Sequence, residues 1–143
     1  MAAPAESRQF VADMKALPEL LEFAAAAAGR AGFDGVAQLF VELIIEELFT
    51  NTVVHGYGGD SNQPVWVSVV SVGVELSLTY EDAAPPCNPL TLPAPGLLDA
   101  PLDQRPVGGL GMPLVKALSD AASYAYQEGR NRLTLAISPR ARR

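Results

Sequence analysis

Gly35 to His55 reads GVAQLFVELIIEELFTNTVVH, and its pattern decides how the rest of the chain is understood. Apolar residues recur at helical spacing, and the run stops at Gly56-Tyr57-Gly58-Gly59, as helices ending in glycine do. With Glu47 set at zero and an advance of about 100° per residue, Val36, Phe40, Leu43, Ile44 and Val54 fall within roughly 60° of it. Gln38, Glu42 and Glu46 fall opposite or at the edge. The spacing therefore predicts Glu47 and Asn51 in the middle of a core-facing stripe, one turn apart on one side. A carboxylate and an amide there need compensation. Neighbouring backbone in a buried polar network would supply it, and so would a bound ligand. His55, about 80° round from Glu47 at the helix's C-terminal end, is read as a capping or dipole contact.

Outward from this helix the chain alternates between layers. Arg8 to Ala12 reads as a short first strand. Pro18 suits the first turn of a helix, and LPELLEFAAAAAGRAG continues it to Gly29 and Gly32. Val65 to Val72 is β-rich, Gly73 marks a turn, and Val74, Leu76, Leu78 and Tyr80 alternate with Glu75, Ser77, Thr79 and Glu81. That is a half-buried antiparallel hairpin. The alternation puts Asp82 on the core side at the strand's end, either as a ligand contact or as an Asp opening a turn toward Pro85 and Pro86.

Residues 83–107 hold seven of the twelve prolines and no period, which points to a functional loop. Gly108, Gly109 and Gly111 open a third helix through Leu114 and Leu118, with Pro113 in its first turn. Those glycines are either a flexible helix entry or a backbone cradle for phosphate. No Gly-Lys-Ser/Thr follows, so this is not a Walker A sequence. Strands around 123–127 and 132–137 close the chain through Glu128-Gly129-Arg130-Asn131. The order β-α-α-β-β-loop-α-β-β predicts an α+β two-layer sandwich, with a mixed, mostly antiparallel sheet and three helices on one face.

Composition bounds the function. The 143 residues suit a single domain, and 49% apolar with 18% charged residues excludes a disordered or fibrous chain. A net charge of −6 argues against a general nucleic-acid binder. Arg140, Arg142 and Arg143 are read as a solvated tail. One cysteine, Cys87, and one histidine, His55, leave no internal disulfide, no cysteine zinc site and no Cys–His dyad. The opening MAAPAESRQF has neither a basic n-region nor an apolar h-region, and no run nears a membrane span. The expectation is a cytoplasmic protein with no membrane partner.

Three segments together resemble one superfamily. Glu47-Leu-Phe-Thr-Asn51-Thr-Val-Val-His55-Gly56-Tyr57 looks like the N box of the GHKL (Bergerat-fold) ATP-binding proteins, which include gyrase, heat-shock chaperones, histidine kinases and MutL. Asp82-Ala-Ala-Pro-Pro-Cys-Asn-Pro89 looks like the G1 box, and Gly108-Gly-Leu-Gly-Met112 like the G2 box. Spacing, small size and the His-Gly-Tyr ending are most similar to RsbW-type anti-sigma factor serine/threonine kinases. Gly129-Arg-Asn-Arg-Leu-Thr134 is typical of that branch's closing hairpin. The resemblance spans about residues 40 to 136.

It implies a Bergerat fold with an ATP lid at 83–107, ATP and Mg²⁺ as cofactors, and Glu47 as the catalytic general base. Asn51 would be the Mg²⁺ ligand, and Asp82 the acceptor for the adenine amino group. Gly109 and Gly111 would meet the phosphates beside Leu110 and Met112, Arg105 would approach phosphate charge from the lid or stay solvated, and Ala84 and Thr134 would stand near adenine. G1 boxes usually carry glycine two residues after the Asp and an aromatic near Cys87. Ala84 stands in the glycine's place and is expected to restrict the backbone there.

The implied activity is phosphorylation of a serine or threonine on an anti-anti-sigma (STAS) partner. A sigma factor, a PPM-type phosphatase acting on the same substrate and a second copy of the chain are the other partners it suggests. The alternative is an ATP-binding interaction module that sequesters a partner without kinase activity. A third is a GHKL domain within a larger ATPase assembly, although nothing in the sequence resembles a transducer domain.

Overall fold

The computed structural model describes residues 5–91 and 111–139. Strand β1 (Glu6–Val11) leads through a 3₁₀ turn at Met14–Ala16, capped by Asp13 accepting from the Lys15 N–H at 2.9 Å, into α1 (Leu17–Arg30). Helix α2 covers Gly35–Asn51. Strands β2 (Pro64–Val72) and β3 (Glu75–Asp82) form a hairpin whose turn takes Gly73 at φ +64°. After a 3₁₀ turn at Pro89–Thr91, α3 (Gly111–Leu118) precedes β4 (Ala121–Gln127) and β5 (Arg130–Ile137). Among the described residues no helix is long and apolar enough to cross a membrane.

The α+β architecture is the expected one, and every pairing among the described strands is antiparallel, in the order β1-β2-β3-β5-β4. Strand β5 enters between β3 and β4, so the two strands flanking it point the same way. Glu128 and Gly129 both take positive φ (56° and 78°), which makes their two-residue loop a primed turn and fixes Gln127 opposite Arg130.

Alternation along the strands separates the two faces of the sheet. Val65, Val67 and Val69, then Leu76, Leu78, Tyr80 and Asp82, then Leu133, Leu135 and Ile137 are buried. They share one core with Leu20, Ala24, Ala27 and Ala28 of α1, with α2, and with Met112, Val115 and Leu118 of α3. Small alanines on α1 let its backbone approach closely. The opposite face carries a row of hydroxyls across all five strands, with Ser7 paired to Ser68, Ser68 to Thr79, Thr79 to Thr134, and Thr134 to Ser123.

Two expectations need correcting. Val74 lies in the turn and is 71% exposed, because the two-residue loop takes it out of the alternation. The core face of α2 is Ala37, Val41, Ile44, Ile45, Leu48 and Phe49, whereas Val36 is 58% exposed and Phe40 and Leu43 are half-buried. Glu47 and Asn51 therefore flank the core instead of occupying its centre. Apolar residues fall on both sides of α2, Val36, Phe40 and Leu43 on one and Val41, Ile45 and Leu48 on the other, so periodicity alone chose the wrong side.

Candidate functional site

The last turn of α2 and the end of β3 meet over a widened turn. Thr52–Gly56 is π-helical, closed by the Tyr57 N–H donating to the Thr52 carbonyl at 2.8 Å. Such turns insert one residue into a helix and re-aim the side chains beyond it. Here the turn brings Gly56 against Ala84, where a methyl added at Gly56 would stand 3.1 Å from the Ala84 Cβ. Ala84 is buried. Among the described non-glycine residues only Glu128 has positive φ, so Ala84 adopts its backbone conformation without strain. The alanine expected to restrict the backbone here stands in a conformation open to any residue.

Asp82 is 9% exposed, and its charge is met by three donors. Its Oδ2 accepts from the Thr52 hydroxyl at 2.8 Å. Its Oδ1 accepts from Asn131 Nδ2 at 2.9 Å and from the Ala84 N–H at 3.2 Å. Tyr80, buried on the same strand face, donates its hydroxyl to Thr52 Oγ1 at 2.7 Å. Since Thr52 has one hydroxyl proton, the direction of the chain is fixed as Tyr80 to Thr52 to Asp82. Burial holds the Tyr80 phenol well above its usual range, against the bond to Thr52, with the Asp82 charge adding to the rise. Tyr57 ties the assembly together, accepting from the Ala83 N–H and donating to the Pro64 carbonyl, both at 2.7 Å. Its phenol is raised by burial, and by Asp82 after the Ala83 bond offsets part of the shift.

Thr52 follows Asn51 directly, so the Thr52–Asp82 bond joins the end of α2 to the end of β3. Glu47 and Asn51 stand one turn apart on the half-buried flank of α2. The Glu47 carboxyl is raised above the ordinary carboxylate range, first by burial and then by the neighbouring Glu46 charge. Asn51 Nδ2 is buried with no hydrogen-bond partner, alone in this among the described side chains. A donor buried in this way gains nothing from its own fold. Its carbonyl oxygen is a hard ligand of the kind Mg²⁺ takes, so the group fits the metal role. Among the described residues no three His, Cys, Asp or Glu side chains gather to hold a metal by themselves.

Residues 10–137 match the family model HATPase_c_2, described as a histidine kinase-like ATPase domain. The chain belongs to that family. Among solved structures, the histidine kinase-like ATPase domain is similar to the Acinetobacter baumannii histidine kinase AdeS at 18% identity and a TM-score of 0.49, over 97% of this chain and 70% of that one. No curated protein matches the sequence.

Within the ATPase domain the remaining expected site residues separate into groups. Gly111 opens α3, and Met112 is 3% exposed in the core, where it packs rather than lining open space. Thr134 stands on the sheet's open face, paired with Thr79, so alternation carries it away from Asp82. Asn131 takes the place beside Asp82, directly opposite it in the β3–β5 register. Arg105, Gly109 and Leu110 lie outside the described residues, as does the 92–107 part of the expected lid. Residues 83–91 are held at their start by Tyr57 and Asn131, and the final turn is capped by Asn88 accepting from the Leu90 N–H at 2.9 Å. Asn131, Thr52, Tyr80 and Tyr57 went unrecognised in the sequence. Only the register of the Glu128–Gly129 turn, which sets Asn131 against Asp82, would have found the first.

Proposed function

We propose that this single domain is an RsbW-type serine/threonine kinase, a cytoplasmic regulator that phosphorylates an anti-anti-sigma (STAS) partner and binds a sigma factor. The observation that carries the reading is the bond between Thr52 and Asp82. It sets a polarised acceptor for a base next to a helix flank bearing a carboxylate of raised affinity for protons and an amide whose Nδ2 has no internal partner. On this reading Asp82 Oδ2 keeps a lone pair for the amino group of adenine, and the Tyr80–Thr52 chain holds that oxygen as an acceptor. Glu47 takes the proton of the attacking hydroxyl as its oxygen bonds to the γ-phosphorus and the bond to the β-phosphate oxygen breaks, leaving ADP. Its raised pKa makes it the stronger base. Asn51 would hold Mg²⁺ through its amide oxygen. The metal, when bound, neutralises phosphate charge. A PPM-type phosphatase reversing the transfer and a homodimer complete the proposed set of partners.

Incubation with labelled ATP, Mg²⁺ and candidate STAS proteins tests the reading, with label expected on a serine or threonine of one of them. ATP binding with no label on any partner would favour the sequestering module instead.

A further inference from the structure

Asp82 and Asn131 face each other across β3 and β5, and what Asn131 touches goes beyond Asp82. Its Nδ2 lies within hydrogen-bond distance of Asp82 Oδ1 at 2.9 Å, the Ala84 carbonyl at 3.0 Å and the Pro85 carbonyl at 3.1 Å. Its Oδ1 accepts from the Cys87 N–H at 3.0 Å and from the Tyr124 hydroxyl. An amide nitrogen has two hydrogens, so three acceptors share two donors, while both lone pairs of the oxygen are used.

The backbone held in this way has few other ties. Pro85 and Pro86 have no N–H, and hydrogen bonds from Asp82 and Asn131 reach this backbone at Ala84, Pro85 and Cys87, with the Tyr124 hydroxyl also beside the Cys87 N–H. One amide therefore joins the carboxylate of the candidate base site to the peptide segment that leaves it.

We propose that Asn131 is a positioning residue that holds the Ala84–Cys87 backbone against Asp82 and thereby sets the affinity of the site for an adenine nucleotide. This rests on the nucleotide-binding reading above. An amino group donated to Asp82 Oδ2 leaves Oδ1 to Asn131, so the base and the Ala84–Cys87 backbone are fixed from the two oxygens of one carboxylate. Ordering of that carboxylate by the base then steadies the backbone that Asn131 holds.

Cys87 is the chain's single cysteine and is exposed, so its thiol reports on this segment. The experiment compares the full-length wild type with Asn131→Ala and with Asn131→Asp, which keeps the side chain's shape but removes its donors. Val69→Ala, in the core at the far end of β2, serves as a stability control. Each protein is tested by the rate of thiol labelling with and without Mg²⁺–ADP, by calorimetric ADP affinity and by melting. In the wild type, ADP is expected to slow labelling. In both Asn131 variants labelling without nucleotide is expected to rise about 5-fold, the ADP effect to disappear, and affinity to fall about 10-fold. Val69→Ala is expected to melt lower with wild-type labelling and affinity.

Equal ADP affinity in wild type and both Asn131 variants overturns the positioning role whatever the labelling shows, and leaves the nucleotide reading intact. The same loss in Val69→Ala overturns it too, because general destabilisation then explains the effect. A wild type that binds no adenine nucleotide removes the functional reading and the inference together.

Discussion

The two ends of the candidate site are finished to different degrees. Around Asp82 the fold supplies its own partners: Thr52, Asn131 and Ala84 on the carboxylate, Tyr80 behind Thr52, and Tyr57 bracing the strand ends. Along the flank of α2, Asn51 keeps a buried donor without a partner and Glu47 holds its proton above the ordinary range. The first end belongs to the packed structure and contributes to its stability. The second carries a cost that the fold does not offset. Thr52 of the first end follows Asn51 of the second directly in sequence, so substitutions at the two ends should divide stability from function differently.

The largest contrast is expected at Glu47. Glu47→Ala should lower phosphate transfer by about 10²–10⁴-fold with ATP affinity near wild type, measured by labelled transfer to the STAS partner and by calorimetry. Transfer at the wild-type rate would remove the general-base role. At Asp82 binding and fold should fall together. Asp82→Asn must turn an NH₂ group toward either Thr52 or Asn131, both of which donate. A loss of about 100-fold in ATP affinity and of about 2 kcal/mol in stability is expected. Calorimetry and denaturant melts read both, and an unchanged melt would break the contrast drawn here.

Asn51→Ala should move the two quantities in opposite directions. Mg²⁺-dependent nucleotide affinity is expected to drop about 10-fold, while loss of the unpartnered donor raises stability by about 1 kcal/mol. The smallest effect is in pH. The folded state binds the Glu47 proton more tightly than the unfolded chain does. This carboxyl therefore favours the fold while protonated, and the contribution is lost as pH rises through its raised pKa. Glu47→Gln should then raise Tm at pH 7 relative to wild type and leave it little changed at pH 4. Equal differences at both pH values would assign the effect to packing.

Most of the fold was legible because β3 alternates cleanly. The pattern at Leu76, Leu78 and Tyr80 placed Asp82 on the core face, and the structure puts it there. Gly56 marked the end of the helical run, but α2 itself stops at Asn51, and the π-helical turn at Thr52–Gly56 that fills the rest left no signal in residue type. Two errors share a cause. On α2 both flanks are apolar, so a wheel centred on Glu47 gathered Val36, Phe40 and Val54 and missed Val41 and Leu48. On β5 the resemblance pointed to Thr134, but Asn131, an odd number of residues away and so on the other side of the sheet, is the one beside Asp82. Parity depends on a primed turn that places Glu128 at φ +56°, and a glutamate does not announce that conformation. The family match supports the domain as a whole, while Arg105, Gly109 and Leu110 lie outside the residues whose placement could speak to their roles.

The insertion of β5 between β3 and β4 also imposes an order in time. During synthesis α1, α2, β2 and β3 emerge first and can assemble locally, but β3 keeps one edge unpaired until the chain through Ile137 has cleared the ribosome. The late strand is also the one that delivers Asn131 to Asp82. A nascent chain halted before β5 would expose an apolar edge and hold no complete base site, so nucleotide cannot stabilise it. Ligand binding can therefore take part in folding only once β5 has been made and paired.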